Sequence, residues 1–546
     1  MNIKLQIEKD FGAPVSPSAV DICDYQCNAA FAIAKTEKRA PMDVAREIAD
    51  KFKSRIATAE AVAPGFVNFK VNEAALETAA QEVLKTGKLP LAKLPAQTVF
   101  FDYGGPNIAK ELHVGHLRPH IIGEALKRVF QSLGARTIAD SFLGDWGLQI
   151  GLVIAELEAS SGKPETTLEM LNEVYPRASA RSKTDLAFKA RAEEITLRLQ
   201  QQQQPYYDLW KKIREVSVAK IRENAAALSC THDTMRGESY AQQYIPEVLE
   251  ILKQNGAYTS DNCLVMDVKE DTDTGPMPPI LLQKSNGGEL YSTSDVATIY
   301  YRFRDYRPDE FIYVNDARQE LHMRQVFRCA KRGNLVAPGT RLTHVSFGTM
   351  NGKDGKPFKT RAGGTIRFED IINLVTEAAQ KRLAENGKAE NPGLAQKIGI
   401  AALKFADLSN HVRKDYIFDL EKFTSFEGKT GPYILYTIAR IKSLLAKSKD
   451  EKQSGTVVSG ITRNLVMKVI KLADCYPAAA ANYTLNGIAD SAFALAAEFN
   501  LFYACTKILA EPDTRKRQGY LALCKIIKNA LEFSMDTLAI DVVEEM

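Results

Sequence analysis

The chain has 546 residues, enough for roughly three or four domains. An apolar share of 45% and a charged share of 25% exclude the disordered and fibrous classes. A net charge of +4 is too small to argue for a nucleic-acid partner by itself, and eight cysteines without a C-x-x-C pair argue for reduced thiols over a disulfide framework or zinc ribbon.

The opening MNIKLQIEKDFG has no signal-peptide core, and no run approaches about eighteen uninterrupted apolar residues, so no leader and no membrane span are expected. Residues 1–95 read as an α+β module. The alanine-rich residues 21–36 predict a helix with Cys23 and Cys27 on one face. A second helix is predicted over 42–52, with Val44, Ile48 and Phe52 aligned. Residues 56–60 and 65–71 read as strands, 74–84 as a helix and 85–90 as a linker.

The chain is organised around residues 101–123, FDYGGPNIAKELHVGHLRPHIIG. An apolar run from Thr98 predicts a buried strand that stops at Gly104, Gly105 and Pro106. Helical spacing starts near His116, with Leu117, Ile121, Ile122 and Ala125 in register. Strand, glycine turn and helix start form the geometry in which backbone N–H groups receive phosphate. Three of the seven histidines lie here: His113, His116 and His120. Their spacing also admits a metal site, but no carboxylate or cysteine is in register, so no protein-bound metal is expected. Pro119 falls in an early helical turn, where its missing N–H costs no intrahelical bond.

His113-Val-Gly-His116 resembles the HIGH signature of class I aminoacyl-tRNA synthetases. The ordered string from Pro106 to His116 resembles arginyl-tRNA synthetases in particular. The resemblance implies an ATP site formed by Pro106, Asn107, Ile108, Ala109, Lys110, Glu111, Leu112, His113, Val114, Gly115 and His116, with Lys356 and Lys359 from a later loop. Lys110, His113 and His116 are its implied catalytic residues. In adenylate formation the amino-acid carboxylate attacks the ATP α-phosphate, so the protein supplies mainly position and charge stabilisation. Histidines can donate to phosphate oxygens, Gly115 permits close backbone approach, and Lys110 is a mobile cation.

Residues 135–139 read as the next strand, followed by Leu143-Gly-Asp-Trp-Gly-Leu-Gln149, which also resembles the family. Residues of about 156–228 read as a polar helical insertion, with the Gln200–Gln204 run as a solvated face or hinge. Further on come Gly237-Glu-Ser239, Tyr291-Ser-Thr-Ser-Asp295-Val-Ala297, a strand over 311–314, and Asn315 through His322. A guanidinium is a planar five-donor cation, and desolvating it takes carboxylates and acceptors in its plane. The resemblance implies that Asn107, Glu238, Tyr291, Asp295 and Gln319 bind arginine. Tyr291 and Asp295, at i and i+4, share a helix face. Such a pocket rejects lysine but discriminates poorly against a guanidino isostere.

After a strand over 344–347, residues 351–364 read NGKDGKPFKTRAGG. They resemble the degenerate arginyl version of the Lys-Met-Ser-Lys-Ser loop, with glycines at 352, 355, 363 and 364 and cations at Lys353, Lys356, Lys359 and Arg361. The standard second lysine is absent, so Lys110 is expected to supply its charge. Gly104-Gly105 departs from the serine common there, leaving backbone contacts for the substrate α-amino group.

From about Phe368 the pattern is helical, over 368–384, 393–407, 432–448, 462–473, 488–509 and 514–533. This part resembles the family's anticodon-binding domain and implies tRNA contacts by Tyr433, Tyr436 and Arg440. The expected fold class is multidomain α/β. An N-terminal α+β module (1–95), which contacts tRNA in the family, precedes a Rossmann-type parallel-sheet catalytic domain (96–367) and a C-terminal all-α bundle (368–546). The expected function is an arginine–tRNA ligase that uses ATP with Mg2+, L-arginine and tRNA(Arg), and charges the terminal 2′-hydroxyl. It is expected to be a cytoplasmic monomer with no membrane partner and, like most of the family, to activate arginine only with tRNA bound.

Overall fold

The strand Thr98–Tyr103 is buried at five of its six positions, as a strand covered on both faces must be. The computed structural model describes residues 2–18, 22–160, 166–356, 366–388, 390–448 and 451–546. In it this strand pairs parallel with Arg136–Asp140 on one side and Glu310–Asp316 on the other; Arg341–Phe347 extends the sheet, again parallel. The spatial order is therefore 341–347, 310–316, 98–103, 136–140. The order in which strands are added switches to the other side of the sheet between Thr98–Tyr103 and Glu310–Asp316, and the crevice beyond their carboxyl ends is where such sheets bind ligands.

Alternate residues serve two cores. Phe101 and Tyr103 pack with the Leu117–Ser132 helix, and Phe100, Phe311 and Tyr313 pack with the Tyr291–Tyr306 and Glu320–Arg332 helices. Single parallel bridges from Asp140 to Thr234 and from Leu143 to Gly237 continue the sheet edge. The insertion comprises Leu168–Arg181, Leu186–Gln200 and Tyr206–Ala227, and the glutamine run forms the exposed turn between the last two. A small antiparallel sheet of Tyr258–Ser260, Cys263–Met266 and Ile280–Gln283 was not expected.

The N-terminal module needs one correction. Among the described residues of the predicted 21–36 helix only 29–36 are helical, within Ala29–Glu37; Tyr25–Cys27 is a strand paired with Val67–Phe69. Tyr25 is fully buried, and its hydroxyl donates to Asp474 of the helical domain at 2.7 Å. Tertiary burial overrides the alanine-rich propensity, and Cys23 and Cys27 share no helix face. An additional helix, Ile3–Phe11, is capped by the Asn2 side chain and closed by Gly12 at φ +78°.

The C-terminal helices run Phe368–Glu385, Pro392–Leu408, Gly431–Lys447, Arg463–Asn482, Asn486–Cys505 and Thr514–Thr537. Arg463–Asn482 continues well past the predicted end at 473. Among the described residues no helix is long and apolar enough to cross a membrane.

Candidate active site

The strand Thr98–Tyr103 delivers the chain to Gly104, at φ +80°, a conformation open chiefly to glycine. A Cβ there would lie 2.5 Å from the His120 ring, and one on Gly105 would collide with the Phe142 carbonyl. The next residues are pinned from the neighbouring strand's loop: Ile108 N–H donates to Gly144 O, and Gly144 N–H donates to Pro106 O. Ala109 N–H donates to Ser217 Oγ on the insertion. Val114–His116 is a single 3-10 turn leading into the Leu117–Ser132 helix.

The backbone fixes the histidine tautomers. His113 Nδ1 accepts from Gly115 N–H and His116 Nδ1 accepts from His113 N–H, each at 3.1 Å, so both neutral rings carry their proton on Nε2. Burial holds both rings below the ordinary imidazole range, with Lys110 adding to the effect. Two Nε2–H donors are thus presented 4.1 Å apart between ring centres. His120 behaves differently: its Nδ1–H donates to His116 O at 2.6 Å, leaving a buried Nε2 without a partner, facing Gly104. The three rings do not converge on a common metal position.

Lys110 is half-buried, its ammonium 5.7 Å from the Tyr175 ring centre. Glu111 accepts from Asn172 at 2.6 Å and faces Arg367 at 3.7 Å. The turn and the helix after it also hold both flanks of residues 351–364, the second signature expected from the sequence. Val114 N–H donates to Ile366 O and Phe368 N–H donates to Leu112 O. On the other side Arg118 reaches Gly348 O at 2.6 Å and Asp407 at 2.8 Å, while Met350–Asn351 pairs with Tyr416–Ile417. Lys356 is exposed within a glycine turn, and Lys353 faces Asp419 at 3.5 Å. Lys359 and Arg361, with Gly363 and Gly364, lie outside the described residues.

At the switch point lies a cavity of about 160 Å³, lined by Tyr291, Asp295 and Gln319 together with Gly104, Gly105 and Asn315. Asn107 and Glu238, the other two predicted arginine ligands, are not among its lining residues. Asn107 is exposed, bridged to Gly144. Glu238 faces Asp145 and Asp295; burial first, then these charges, push its carboxyl up to about 7. Burial also raises Asp295, whose carboxylate meets His322 Nε2 at 2.6 Å, and the half-exposed Tyr291 ring stacks on His322 at 5.0 Å.

Beneath the cavity, the fully buried Arg302 bonds Asp102 at 2.6 Å and Asp140 at 2.5 Å. Asp102 is nonetheless pushed up to about 6, chiefly by burial. Arg214 pairs with Asp145 at 2.8 Å. Glu238 has no cation partner among the described residues, and the cavity itself is lined by the carboxylates of Asp102, Asp295 and Asp316 and, among the described residues, by no cation. Sequence reasoning assigned no role to Asp102, Asp140, Arg302 or His322. Only His322 carried a signal, as the polar close of the string that begins at Asn315.

A family model described as class I tRNA synthetases (R), catalytic domain, matches residues 79–420. The chain belongs to the arginyl-tRNA synthetase family. The model of the arginyl-tRNA synthetase N-terminal domain matches residues 3–71, and that of the DALR anticodon-binding domain matches 434–546. The chain is 40% identical to an arginine–tRNA ligase of Alkaliphilus oremlandii, over 99% of its own length and 96% of the relative's. It is also 40% identical to one of Agathobacter rectalis, with the same shares covered. Among solved structures, the arginyl-tRNA synthetase of Plasmodium falciparum superposes with a TM-score of 0.85 at 25% identity, covering 99% of this chain and 97% of that one. The multidomain α/β fold class read from the sequence is thereby established.

In the region matched by the DALR model, Arg440 is sandwiched between the exposed rings of Tyr436 and Tyr503, at 4.7 and 5.1 Å. These residues line a groove of about 830 Å³ that also holds Lys442, Lys447 and Lys507. Tyr433 lies apart from this arrangement. Its ring packs on Phe493 and its hydroxyl accepts from Asn500 at 3.0 Å, so it is mostly core. Asn500 also accepts from Arg440 at 2.5 Å and thus joins the two groups.

Proposed function

We propose that this chain is an arginine–tRNA ligase, converting L-arginine and ATP to arginyl adenylate and pyrophosphate, then esterifying the terminal 2′-hydroxyl of tRNA(Arg). The observation that carries this reading is the surplus of carboxylates around the switch-point cavity, one turn from two histidines held as Nε2–H donors. Asp295 and Glu238 pair with the substrate guanidinium, Tyr291 and Gln319 bound its plane, and Asn107 with the backbone near Gly104 and Gly105 takes the α-amino end.

The substrate carboxylate then faces the histidine turn, where ATP lies along Pro106 to His116. As the carboxylate oxygen bonds to the α-phosphorus and the bond to pyrophosphate breaks, His113 and His116 donate to the phosphate oxygens. Lys110, with Lys356 and Lys359 from the second signature, neutralises the leaving pyrophosphate. In the second step the ribose hydroxyl attacks the activated carbonyl and AMP departs. Mg2+ arrives with the nucleotide, on its phosphates.

The functional units are residues 1–95 and 368–546 for tRNA, with Tyr436, Arg440 and, through Asn500, Tyr433 on the anticodon side, and 96–367 for catalysis. The enzyme works as a cytoplasmic monomer. The deciding experiment is arginine-dependent ATP–pyrophosphate exchange with and without tRNA(Arg). Exchange that requires tRNA supports the ligase and its gating, and exchange without tRNA keeps the ligase alone. No exchange in protein that still binds tRNA overturns it.

A further inference from the structure

His322 stands in the first turn of the helix Glu320–Arg332, three residues beyond Gln319 at the N-cap. It is not itself part of the switch-point cavity wall, to which Gln319 and Met323 contribute from its own segment and Tyr291 and Asp295 from the helix opposite. Its Nε2 meets Asp295 Oδ2 at 2.6 Å, and the Tyr291 ring lies 5.0 Å from its own at an angle of 28°. A carboxylate oxygen accepts, so the imidazole proton lies on Nε2. One side chain is thus joined to three residues expected to bind arginine: to Asp295 by a hydrogen bond, to Tyr291 by stacking and to Gln319 through a single turn.

Asp295 is tethered at one end. His322 takes Oδ2, while Oδ1 has no hydrogen-bond partner among the described residues. A carboxylate held by one oxygen no longer turns freely about its last bond, so the open oxygen keeps one direction. A guanidinium gains from that fixity, because its N–H donors lie in one plane at set angles. A carboxylate free to turn has to be ordered by the substrate itself, at the expense of affinity.

The pair is not what docks the two helices. Met323, Val326, Phe327 and Ala330 are buried in one cluster with Val296 and Ile299 of the Tyr291–Tyr306 helix, and Phe327 also packs on Tyr313 at 5.3 Å. His322 lies at the rim of that contact, with 26% of its side chain exposed.

We propose that His322 is a positioning residue for arginine: its Nε2–H locks the Asp295 carboxylate with one oxygen offered to the guanidinium, so the pocket is set for a planar fork before the substrate arrives. The assignment rests on the ligase reading and is tested apart from it.

The test separates the hydrogen bond from the stack. His322→Phe keeps a ring against Tyr291 and removes the donor. His322→Gln removes the ring and keeps an N–H at similar reach. In ATP–pyrophosphate exchange with tRNA(Arg) present, His322→Phe raises the KM for arginine about tenfold, with kcat and the KM for ATP unchanged, and His322→Gln stays within about threefold of wild type. A wild-type arginine KM in His322→Phe overturns the assignment. So does an equal rise in both variants, which makes the stack the working contact, or a parallel rise in the KM for ATP, which marks a general disturbance. Exchange by the wild type preserves the ligase reading in each of these cases, and a wild type without exchange overturns both. If His322→Phe folds poorly, the wild-type protein answers through the Cε1–H NMR signal of His322, assigned among the seven histidines by its absence in His322→Gln. Saturating arginine shifts that signal and ATP alone does not; a signal that arginine leaves in place overturns the assignment.

Discussion

Arg118 and Asp407, 289 residues apart in the chain, form a two-pronged ion pair shielded from water, Nε to Oδ2 at 2.8 Å and Nη2 to Oδ1 at 3.4 Å. The remaining guanidinium protons reach the carbonyls of Gly348, Val412 and Lys414, and the plane lies over Tyr416 at 5.2 Å. One side chain thus joins the histidine helix, the approach to the second signature and the helical domain. Removing it strands a buried carboxylate. Arg118→Ala is expected to cost about 3–5 kcal/mol. Arg118→Lys keeps the charge but not the fork, and should raise the KM for ATP about tenfold with the KM for arginine unchanged. Thermal unfolding and substrate-resolved exchange kinetics check both, and an unaltered ATP KM would remove the link to the second signature.

Glu238 gives arginine affinity a pH dependence. Its carboxyl stands near 7, against an ordinary value of 4.5, because burial and the facing Asp145 and Asp295 disfavour its charge. A raised folded pKa means that this group's contribution to stability falls as pH climbs from 4.5 to 7. Pairing with a guanidinium needs the ionised form, so the effect on binding has the opposite sign. Arginine should bind about tenfold more tightly near pH 8 than near pH 6, and Glu238→Gln should flatten that slope while weakening binding overall. Calorimetric titration at the two pH values measures it, and an identical slope in the variant would clear Glu238 of the effect.

The two lysines proposed to meet the ATP phosphates, Lys110 and Lys356, are expected to differ. Lys110 stands half-buried beside the histidine turn, while Lys356 is exposed in a glycine turn. Lys110→Ala should lower adenylate formation by more than Lys356→Ala does. Single-turnover assays with tRNA present give the comparison, and equal or reversed losses would end that division of labour.

Gly104 and His120 are matched. The backbone at φ +80° and the ring behind it both exclude a side chain. Gly104→Ser should destabilise by roughly 1–2 kcal/mol from conformation alone, with the clash in addition. Adding His120→Ala should recover the clash component only. A double-mutant cycle followed by thermal unfolding separates the two, and strict additivity would argue that the ring yields.

What the sequence disclosed was local. The run from Thr98 into Gly104, the histidine turn and the helix starting near His116 follow from period and punctuation, so that strand, turn and helix were readable. Tyr291, Asp295 and Gln319, spread over two elements, do come to one cavity. The Arg302 triad was not readable, because its aspartates lie 200 and 162 residues away and one sits in an apolar strand. On a helix pattern, Arg302 looks like a surface charge. Tyr25–Cys27 misled for the same reason: its strand pairing and its bond to Asp474 are long-range, and local alanine content spoke for a helix. The Ile3–Phe11 helix had a usable signal, Asn2 before it and Gly12 after it.

Asp145 brings three separate stretches of chain under common ownership: its own turn, Trp210 and Arg214 from the insertion, and Ser239 beyond it. The insertion is therefore not an exchangeable module. A chimera that imports a relative's insertion inherits a working site only if the donor brings a guanidinium and an indole in register with a recipient aspartate. Recombination within this family should therefore favour crossovers that keep residues 143–239 together.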